Sequence, residues 1–303
     1  MLNIFSAVFG LAAIVAIGYV FKRVGWVQAS NVGIFSKIIL YVTLPALIVT
    51  SFNSTVIEPS LFMVTAVAAF AILIQMGVGV FVLERAGGPR ERVFALLNAG
   101  NYNVGNFAIP FLTTLVGPPA VVTAAMFDMG QGVLVAGIGY ATAMAISRGK
   151  PVTFAAVVKE AFKNPVMIAY LVMVTLRMLD ITLPDGVIEF TARLGGANTF
   201  VALFMLGVAL ELRLNRESYR RAVLHLGVRY AFTIVLSLLV WFVVPLALEF
   251  RVPLIMLLWA PIASLAPALT AEAGGDFQLS SFVTAVSTVI GMIMMPIVLV
   301  ILT

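Results

Sequence analysis

The chain has 303 residues, of which 62% are hydrophobic and only 10% are charged. Soluble domains carry roughly 25% charged residues, so this chain cannot cover a globule with polar surface and needs lipid as its solvent. The net charge of +5 does not indicate nucleic acid as a partner, because the basic residues lie in short loops between apolar segments, where anionic membrane lipids attract them.

Breaks in the apolar pattern predict ten membrane-spanning helices. A spanning helix needs about 20 mostly apolar residues, whereas a spanning strand would be an alternating segment of about ten. The first apolar segment is too long for the apolar region of a signal peptide and has no basic residues before it, so we expect it to be the first span. In chain order the predicted spans are 3–21, 33–52, 61–83, 92–116, 119–146, 164–182, 187–211, 219–248, 253–273 and 277–302.

The distribution of Lys and Arg predicts the orientation of these spans. Thirteen of the eighteen basic residues fall in the loops after spans 1, 3, 5 and 7. The positive-inside rule therefore predicts that the odd-numbered loops are cytoplasmic and that both termini lie outside. The short loop after span 9 carries Glu272 and Asp276 and does not follow this pattern.

The longest basic connector predicts how the chain divides into domains. It separates a first five-helix repeat (1–146) from a second one (164–303), with a cytoplasmic linker at 147–163. An odd number of spans in each half gives the halves opposite orientations, as in the inverted repeats of many secondary transporters. Pro110 in span 4 and Pro267 in span 9 stand in matching spans, and a proline inside a helix removes a hydrogen bond. We therefore predict that both spans are discontinuous helices.

The middle of span 4 carries the first candidate site. Three Asn and two Gly between positions 100 and 106 are poor helix formers. Unwound backbone at membrane depth is tolerated where it lines a wet cavity, and a restarted helix presents an N-terminus that favours an anion. The pattern indicates a substrate site, with polar packing between helices as the alternative. The candidate substrate-binding residues are Asn101, Tyr102, Asn103, Gly105, Asn106 and Pro110.

Span 9 carries the second candidate site. Pro261 and Pro267 stand six residues apart with small residues between them. This pattern suits a break where two backbones cross closely, although an ordinary proline kink is the alternative. The candidate substrate-binding residues in this span are Ser264, Ala266 and Pro267.

Three polar residues inside spans are candidates for ion coupling. Asp128 is a carboxylate deep in span 5, followed by Gln131, and Gln75 lies in the middle of span 3. A carboxylate at the bilayer centre costs about 3 kcal/mol on insertion scales, so it normally faces a cavity or a partner. Asp128 can take up a proton or ligate a cation. The alternative is a structural ion pair with Arg177 or Arg229.

The order and spacing of several short motifs resemble the auxin efflux carrier family, which comprises the plant PIN-type carriers and shorter bacterial relatives. One of them, Asn103-Val104-Gly105 followed by Ile109-Pro110, resembles the first crossover of the bacterial members, although Ala108 stands where Gly is usual. The other motifs are Leu-Pro-Ala-Leu at 44–47, Asn-Pro at 164–165, Leu-Pro at 183–184, Ala-Leu-Phe-Met-Leu-Gly at 202–207, Pro267, Ser-Thr at 287–288 and Pro296.

The resemblance implies an architecture and a site. It implies a scaffold domain from spans 1, 2, 6 and 7, a transport domain from spans 3–5 and 8–10, and a homodimer joined through the scaffold. The long cytoplasmic loop of the plant carriers is absent, which favours a bacterial relative and so a bacterial inner membrane. The fold is similar to that of the bile acid:sodium symporters. By that similarity a sodium ion would lie among Gln75, Asn103, Asp128 and Ser264, and no other metal or cofactor is implied.

Together these features predict a secondary active transporter for a small organic anion, coupled to protons or sodium. The resemblance implies carboxylates such as malonate, malate or an auxin-like acid as the substrate. Two alternatives remain: a membrane sensor that binds its ligand on a transporter fold without turnover, and an intramembrane enzyme. The sequence offers no convincing nucleophile-base pair, and the absence of cysteine excludes thiol catalysis.

Overall fold

The computed structural model describes residues 2–148, 165–210 and 216–303, and within these ranges the architecture is helical, without any strand. Seven of the described helices are long and apolar enough to cross a membrane. They are Ser6–Arg23, Val32–Asn53, Pro59–Val82, Pro118–Ser147, Asp185–Ala209, Ser218–Phe242 and Phe277–Leu302. Of the predicted linker at 147–163, only Ser147 and Arg148 belong to the described residues.

Fifteen α-helices are used as reference elements below. They are α1 (Leu2–Arg23), α2 (Val32–Ile38), α3 (Leu44–Asn53), α4 (Pro59–Gly87), α5 (Pro89–Asn98), α6 (Ile109–Leu115), α7 (Pro118–Gln131), α8 (Tyr140–Arg148), α9 (Pro165–Met178), α10 (Asp185–Gly196), α11 (Asn198–Ala209), α12 (Arg216–Phe242), α13 (Leu248–Leu258), α14 (Ala266–Glu272) and α15 (Phe277–Leu302). Three π-helical segments continue or precede them: Ile39–Thr43, Val104–Ala108 and Gly132–Gly139.

Large apolar side chains cover the outside of the helices. Phe9, Phe242 and Ile301 are 76%, 77% and 73% exposed. A helix that is apolar on every side is stable when lipid surrounds the side chains that the protein does not bury. The exposed apolar surface is therefore the surface expected of a multi-pass membrane protein.

Glycine allows α1 and α11 to approach closely. A Cβ atom added at Gly18 would lie 2.1 Å from the carbonyl oxygen of Phe204, and one added at Gly207 would lie 2.0 Å from that of Val15. Small residues at such positions let two backbones touch, which is how helices associate inside a membrane. This contact joins the predicted spans 1 and 7.

The predicted discontinuities in spans 4 and 9 are present in the structure. In span 4, α5 ends at Asn98 and helix resumes at Val104. In span 9, α13 ends at Leu258 and α14 begins at Ala266. The prolines expected to cause the breaks, Pro110 and Pro267, lie instead in the first turn of α6 and α14. At Pro267 the missing N–H group would have no partner within α14. Pro110 lies six residues beyond the point where helix resumes, at the change from the π-helical segment to α6.

Two details differ from the prediction. Span 7 is present as Asp185–Ala209, but a turn at Ala197 divides it into α10 and α11. Beside this turn the backbones approach closely, since a Cβ atom added at Gly195 would lie 2.8 Å from the backbone of Leu47. Glu249 and Arg251, which the predicted bounds place in the loop between spans 8 and 9, belong to the first turn of α13 because that helix begins at Leu248.

An ion pair accounts for one acidic residue in the loop after span 9. The Asp276 carboxylate accepts a hydrogen bond from the N–H of Leu279 and caps α15. Its second oxygen lies 2.8 Å from the guanidinium of Arg221, which also pairs with Glu91. Asp276 therefore neutralises part of the basic charge carried by the loop after span 7.

Candidate functional site

The two interruptions meet and are joined through their backbones. Tyr102 and Ile262 form an isolated antiparallel β-bridge. The N–H of Asn103 donates to the carbonyl oxygen of Pro261 at 2.7 Å, and the N–H of Ile262 donates to the hydroxyl of Ser287 at 3.0 Å. Unpaired peptide groups are costly inside a membrane. By pairing the exposed N–H and C=O groups, these bonds allow both helices to be interrupted at the point where they meet. We call this meeting point the crossing.

Gln131 completes the pairing at the crossing. The N–H of Tyr102 donates to its Oε1 at 2.7 Å, and its Nε2 donates to the carbonyl oxygen of Tyr102 at 2.7 Å. The side-chain amide thus acts as a strand partner for one peptide. This use of both amide ends assigns Gln131 a supporting role at the crossing.

The crossing borders a partly open cavity of about 90 Å³. Seven of the twelve predicted site residues line it: Tyr102, Asn103, Gly105, Asn106, Asp128, Gln131 and Ser264. The remaining walls are mostly apolar and come from Leu40, Leu44, Val104, Val166, Ala263 and Leu265. The sequence pattern therefore identified the polar wall of this cavity.

Two lining side chains present hydrogen-bonding atoms that have no partner in the described part of the chain. They are the Nδ2 donor of Asn103 and the Oδ1 acceptor of Asn106. Asn103 is only 3% exposed. The Nδ2 of Asn106 donates to the hydroxyl of Ser264 at 2.8 Å and so joins the two interrupted spans. Nine other buried side-chain atoms in the described residues also lack a partner, but these two line the larger cavity. There a ligand, an ion or water could complete their hydrogen bonds.

Asp128 contributes the carboxylate of the cavity. The hydroxyl of Tyr170 donates to its Oδ2 at 3.1 Å, and Nε2 of Gln131 donates to its Oδ1 at 3.2 Å. Both partners are neutral, so the carboxylate keeps its negative charge facing the cavity when it is ionised.

The alternative of an ion pair between Asp128 and an arginine is not supported. Arg177 donates through Nε to the carbonyl oxygen of Thr55 at 2.9 Å. Arg229 donates to backbone carbonyl oxygens at the crossing. In the described residues neither guanidinium forms an ion pair with Asp128.

Five predicted site residues do not line the cavity. Asn101 donates to the carbonyl oxygen of Leu97 at 2.9 Å. Gln75 accepts a hydrogen bond from the hydroxyl of Tyr102 at 2.7 Å and lines a separate cavity of about 10 Å³. Ala266 and Pro267 belong to the first turn of α14, and Pro110 belongs to the first turn of α6.

Gln75 is therefore separated from the other three candidate sodium ligands, Asn103, Asp128 and Ser264, which share the larger cavity. Elsewhere in the described ranges, no group of three or more His, Cys, Asp and Glu side chains could hold a metal ion.

Sequence analysis missed Arg229 as a component of the crossing. Its guanidinium donates to the carbonyl oxygens of Ala99 at 2.6 Å and Ala260 at 3.1 Å, and it lies 4.5 Å from the centre of the Tyr102 ring. The side chain is 2% exposed. The sequence did contain an indication of this role. Placing an arginine in the middle of an apolar span costs free energy, so such a residue marks a functional position.

Sequence analysis also missed Asn98, the last residue of α5. Its Nδ2 donates to the hydroxyl of Thr270 at 3.0 Å, and its Oδ1 accepts from the hydroxyl of Ser280 at 2.6 Å. These bonds tie the end of α5 to α14 and α15. No local sequence pattern predicts such a hydrogen-bond network, because its partners are far apart in sequence.

Comparisons with known proteins agree with the fold and the motifs. Residues 3–155 match the family described as Membrane transport protein, and residues 198–303 match the Sodium Bile acid symporter family. An uncharacterized transporter of Methanothermobacter thermautotrophicus is 24% identical over 302 residues, which cover 96% of each chain. The first match spans half of the sequence. The chain is therefore a multi-pass membrane protein that belongs to the Membrane transport protein family, the family of the auxin efflux carriers.

Proposed function

We propose that this protein is a secondary active transporter that carries a small organic anion through the cavity at the crossing. The observation that supports this proposal most is the unpaired Nδ2 donor of Asn103, which is buried and lines the cavity. This donor lies where the two interrupted helices meet, and no described residue accepts a hydrogen bond from it. A substrate carboxylate would supply the missing acceptor.

The helix that follows Asn103 favours an anion. Helical structure runs over Val104–Leu115, so its N-terminus lies at the cavity. The aligned peptide dipoles place a partial positive charge at that end. Because α14 has only seven residues, we assign no anion-binding role to its N-terminus. The anion preference is assigned to the helix of span 4 and to Asn103.

The size of the cavity favours a small substrate. Its volume of about 90 Å³ is well below the roughly 300–1,000 Å³ of sites for drug-sized ligands. Malonate or malate would fit this space better than an indole acid. We therefore propose a short-chain carboxylate as the substrate.

Asp128 provides a reason for ion coupling. Two unit negative charges about 5 Å apart repel each other by roughly 3 kcal/mol at an effective dielectric constant of about 20. A substrate anion beside the ionised Asp128 would experience this repulsion. A proton on Asp128, or a sodium ion held by the oxygen atoms of Asp128, Asn103 and Ser264, would remove it and so travel with the substrate.

The same proposal includes the full predicted architecture. Three further segments would complete ten spans in two inverted repeats. They are the apolar helices Val104–Leu115 and Pro165–Met178 and the interrupted pair α13 and α14. The odd-numbered loops would then be cytoplasmic and both termini outside, in a bacterial inner membrane. A homodimer would form through spans 1, 2, 6 and 7.

Uptake by proteoliposomes tests the proposal. We expect saturable uptake of radiolabelled malonate or malate that increases when an inward proton or sodium gradient is imposed. Binding of these acids to the purified protein without uptake would favour the sensor. If neither acid binds and neither is taken up, the assignment of a short-chain carboxylate is wrong.

A further inference from the structure

We propose that Arg229 is a positioning residue for the substrate cavity, because it holds the ends of both interrupted helices together without touching the cavity itself. The inference rests on the proposed function only for its effect on transport. Its structural part stands on the contacts of Arg229 alone.

Arg229 reaches the C-terminal ends of two helices at once. Its Nη1 donates to the carbonyl oxygen of Ala99, directly after α5, at 2.6 Å. Its Nη2 donates to the carbonyl oxygen of Ala260, just beyond α13, at 3.1 Å. The last carbonyl groups of a helix have no partner within it and carry a partial negative charge. One guanidinium therefore caps both helices where they open.

The charge of Arg229 has no acidic partner among the residues that the structure describes. The two carbonyl ends and the face of the Tyr102 ring, 4.5 Å from the guanidinium carbon, surround it instead. Both environments attract a cation. Because the side chain is 2% exposed, these contacts are what offsets the cost of keeping the charge inside the protein.

Tyr102 transmits the position of Arg229 to the cavity. One side of its ring faces Arg229, while its backbone pairs with Ile262 and with Gln131. The next residue, Asn103, carries the unpaired donor in the cavity. A shift of Arg229 would therefore move the backbone that aims Asn103 at the substrate.

Lysine should replace Arg229 poorly. A guanidinium is a planar fork that donates in two directions at once, whereas an ammonium group on a flexible stem is a point charge. Arg229→Lys retains the charge and Arg229→Gln removes it. The two variants separate the effect of charge from the effect of the fork.

Arg251 offers a matched control. It also donates to two backbone carbonyl oxygens, those of Trp241 and Leu246, and it also lies near an aromatic ring, 5.7 Å from the centre of Trp241. It is outside both cavities. Arg251→Gln therefore removes a similar set of contacts away from the crossing.

Hydrogen–deuterium exchange of the purified full-length protein tests the structural part. For Arg229→Gln we expect exchange in peptides covering 99–104 and 259–264 to rise on the order of tenfold, because hydrogen bonds to a charged group are lost. Arg229→Lys should give a smaller rise, and Arg251→Gln should leave these peptides unchanged. Unchanged exchange at the crossing in Arg229→Gln, or an equal rise in every helix, would overturn the proposal.

Malonate uptake tests the functional part. We expect Arg229→Gln to raise the KM for malonate more than it lowers the maximal rate, and Arg229→Lys to restore part of the affinity. If the wild-type protein takes up no carboxylate, the proposed function fails, yet the exchange measurement still decides the role of Arg229. If uptake occurs and the KM is unchanged while exchange rises, Arg229 does not position the substrate site.

Discussion

The side-chain amide of Gln131 and the peptide of Tyr102 form two hydrogen bonds, each 2.7 Å long. A backbone segment that leaves a helix inside a membrane needs a partner for its N–H and C=O groups. Gln131 supplies both from a helix 29 residues further along the chain. The open segment of span 4 is therefore stabilised by a side chain as well as by the backbone of span 9.

Replacing Gln131 should destabilise the protein. Gln131→Met has a similar length but leaves the buried N–H of Tyr102 without this partner, at about 1–3 kcal/mol, while the C=O of Tyr102 still accepts from the N–H of Val104 at 3.0 Å. We expect a clearly lower midpoint of thermal unfolding in detergent. Gln28→Met changes an exposed glutamine in the first loop and should leave the midpoint unchanged. Equal midpoints for the Gln131 variant and the wild type would contradict this reading of the two bonds.

Replacing Asn103 should remove substrate binding without unfolding the protein. Asn103→Ala deletes an Nδ2 donor that no described residue uses, so the effect on stability should be small. Malonate should no longer raise the unfolding temperature of the variant. Asn101→Ala is the matched control, because Asn101 is equally buried but lies outside the cavity wall. Normal malonate uptake by Asn103→Ala would remove Asn103 from the substrate site.

Replacing Asp128 should change the ion dependence of uptake. Asp128→Asn keeps an oxygen that can accept from Tyr170 but carries no titratable charge. We expect uptake of malonate to lose its dependence on pH, or on sodium if sodium is the coupling ion. Asp180→Asn, at an exposed turn after α9, should retain both dependences. If Asp128→Asn retains them too, another residue couples the ion.

Adding one methyl group between α1 and α11 should destabilise the protein. A Cβ atom at Gly18 would lie 2.1 Å from the carbonyl oxygen of Phe204, so Gly18→Ala forces two backbones apart. Overpacking of this kind costs about 1–3 kcal/mol. Gly10→Ala lies on the same helix with nothing within 4 Å of the new atom. We expect a lower unfolding temperature only for Gly18→Ala, and equal effects of the two would show that the contact is unimportant.

The sequence was sufficient to locate the crossing. Asn and Gly concentrated in an otherwise apolar span are unfavourable in a helix that faces lipid, so a break at 99–103 was foreseeable. The positions of Pro110 and Pro267 were also informative, although Pro267 marks where its helix restarts and Pro110 lies six residues beyond the restart at Val104. Seven of the twelve predicted site residues line the cavity, because the two open segments and α7 meet there.

Contacts between distant elements could not be predicted from local pattern. Arg229 lies on a different helix from the two carbonyl ends that it caps. Gln75 bonds to the hydroxyl of Tyr102 and lines a different cavity from Asn103, Asp128 and Ser264. The close approach of Gly195 to the backbone of Leu47, beside the turn at Ala197, joins positions far apart in the chain. Each of these facts requires the three-dimensional arrangement.

The antiparallel bridge between Tyr102 and Ile262 has a consequence for how such a protein can change over generations. The bridge is formed by backbone groups, which nearly all amino acids share. The backbone contact between the two segments therefore does not depend on which side chain stands at position 262. Any apolar residue of similar bulk could stand there and leave the path of both segments intact. Divergent sequences can therefore keep one geometry at this spot while sharing few identities around it.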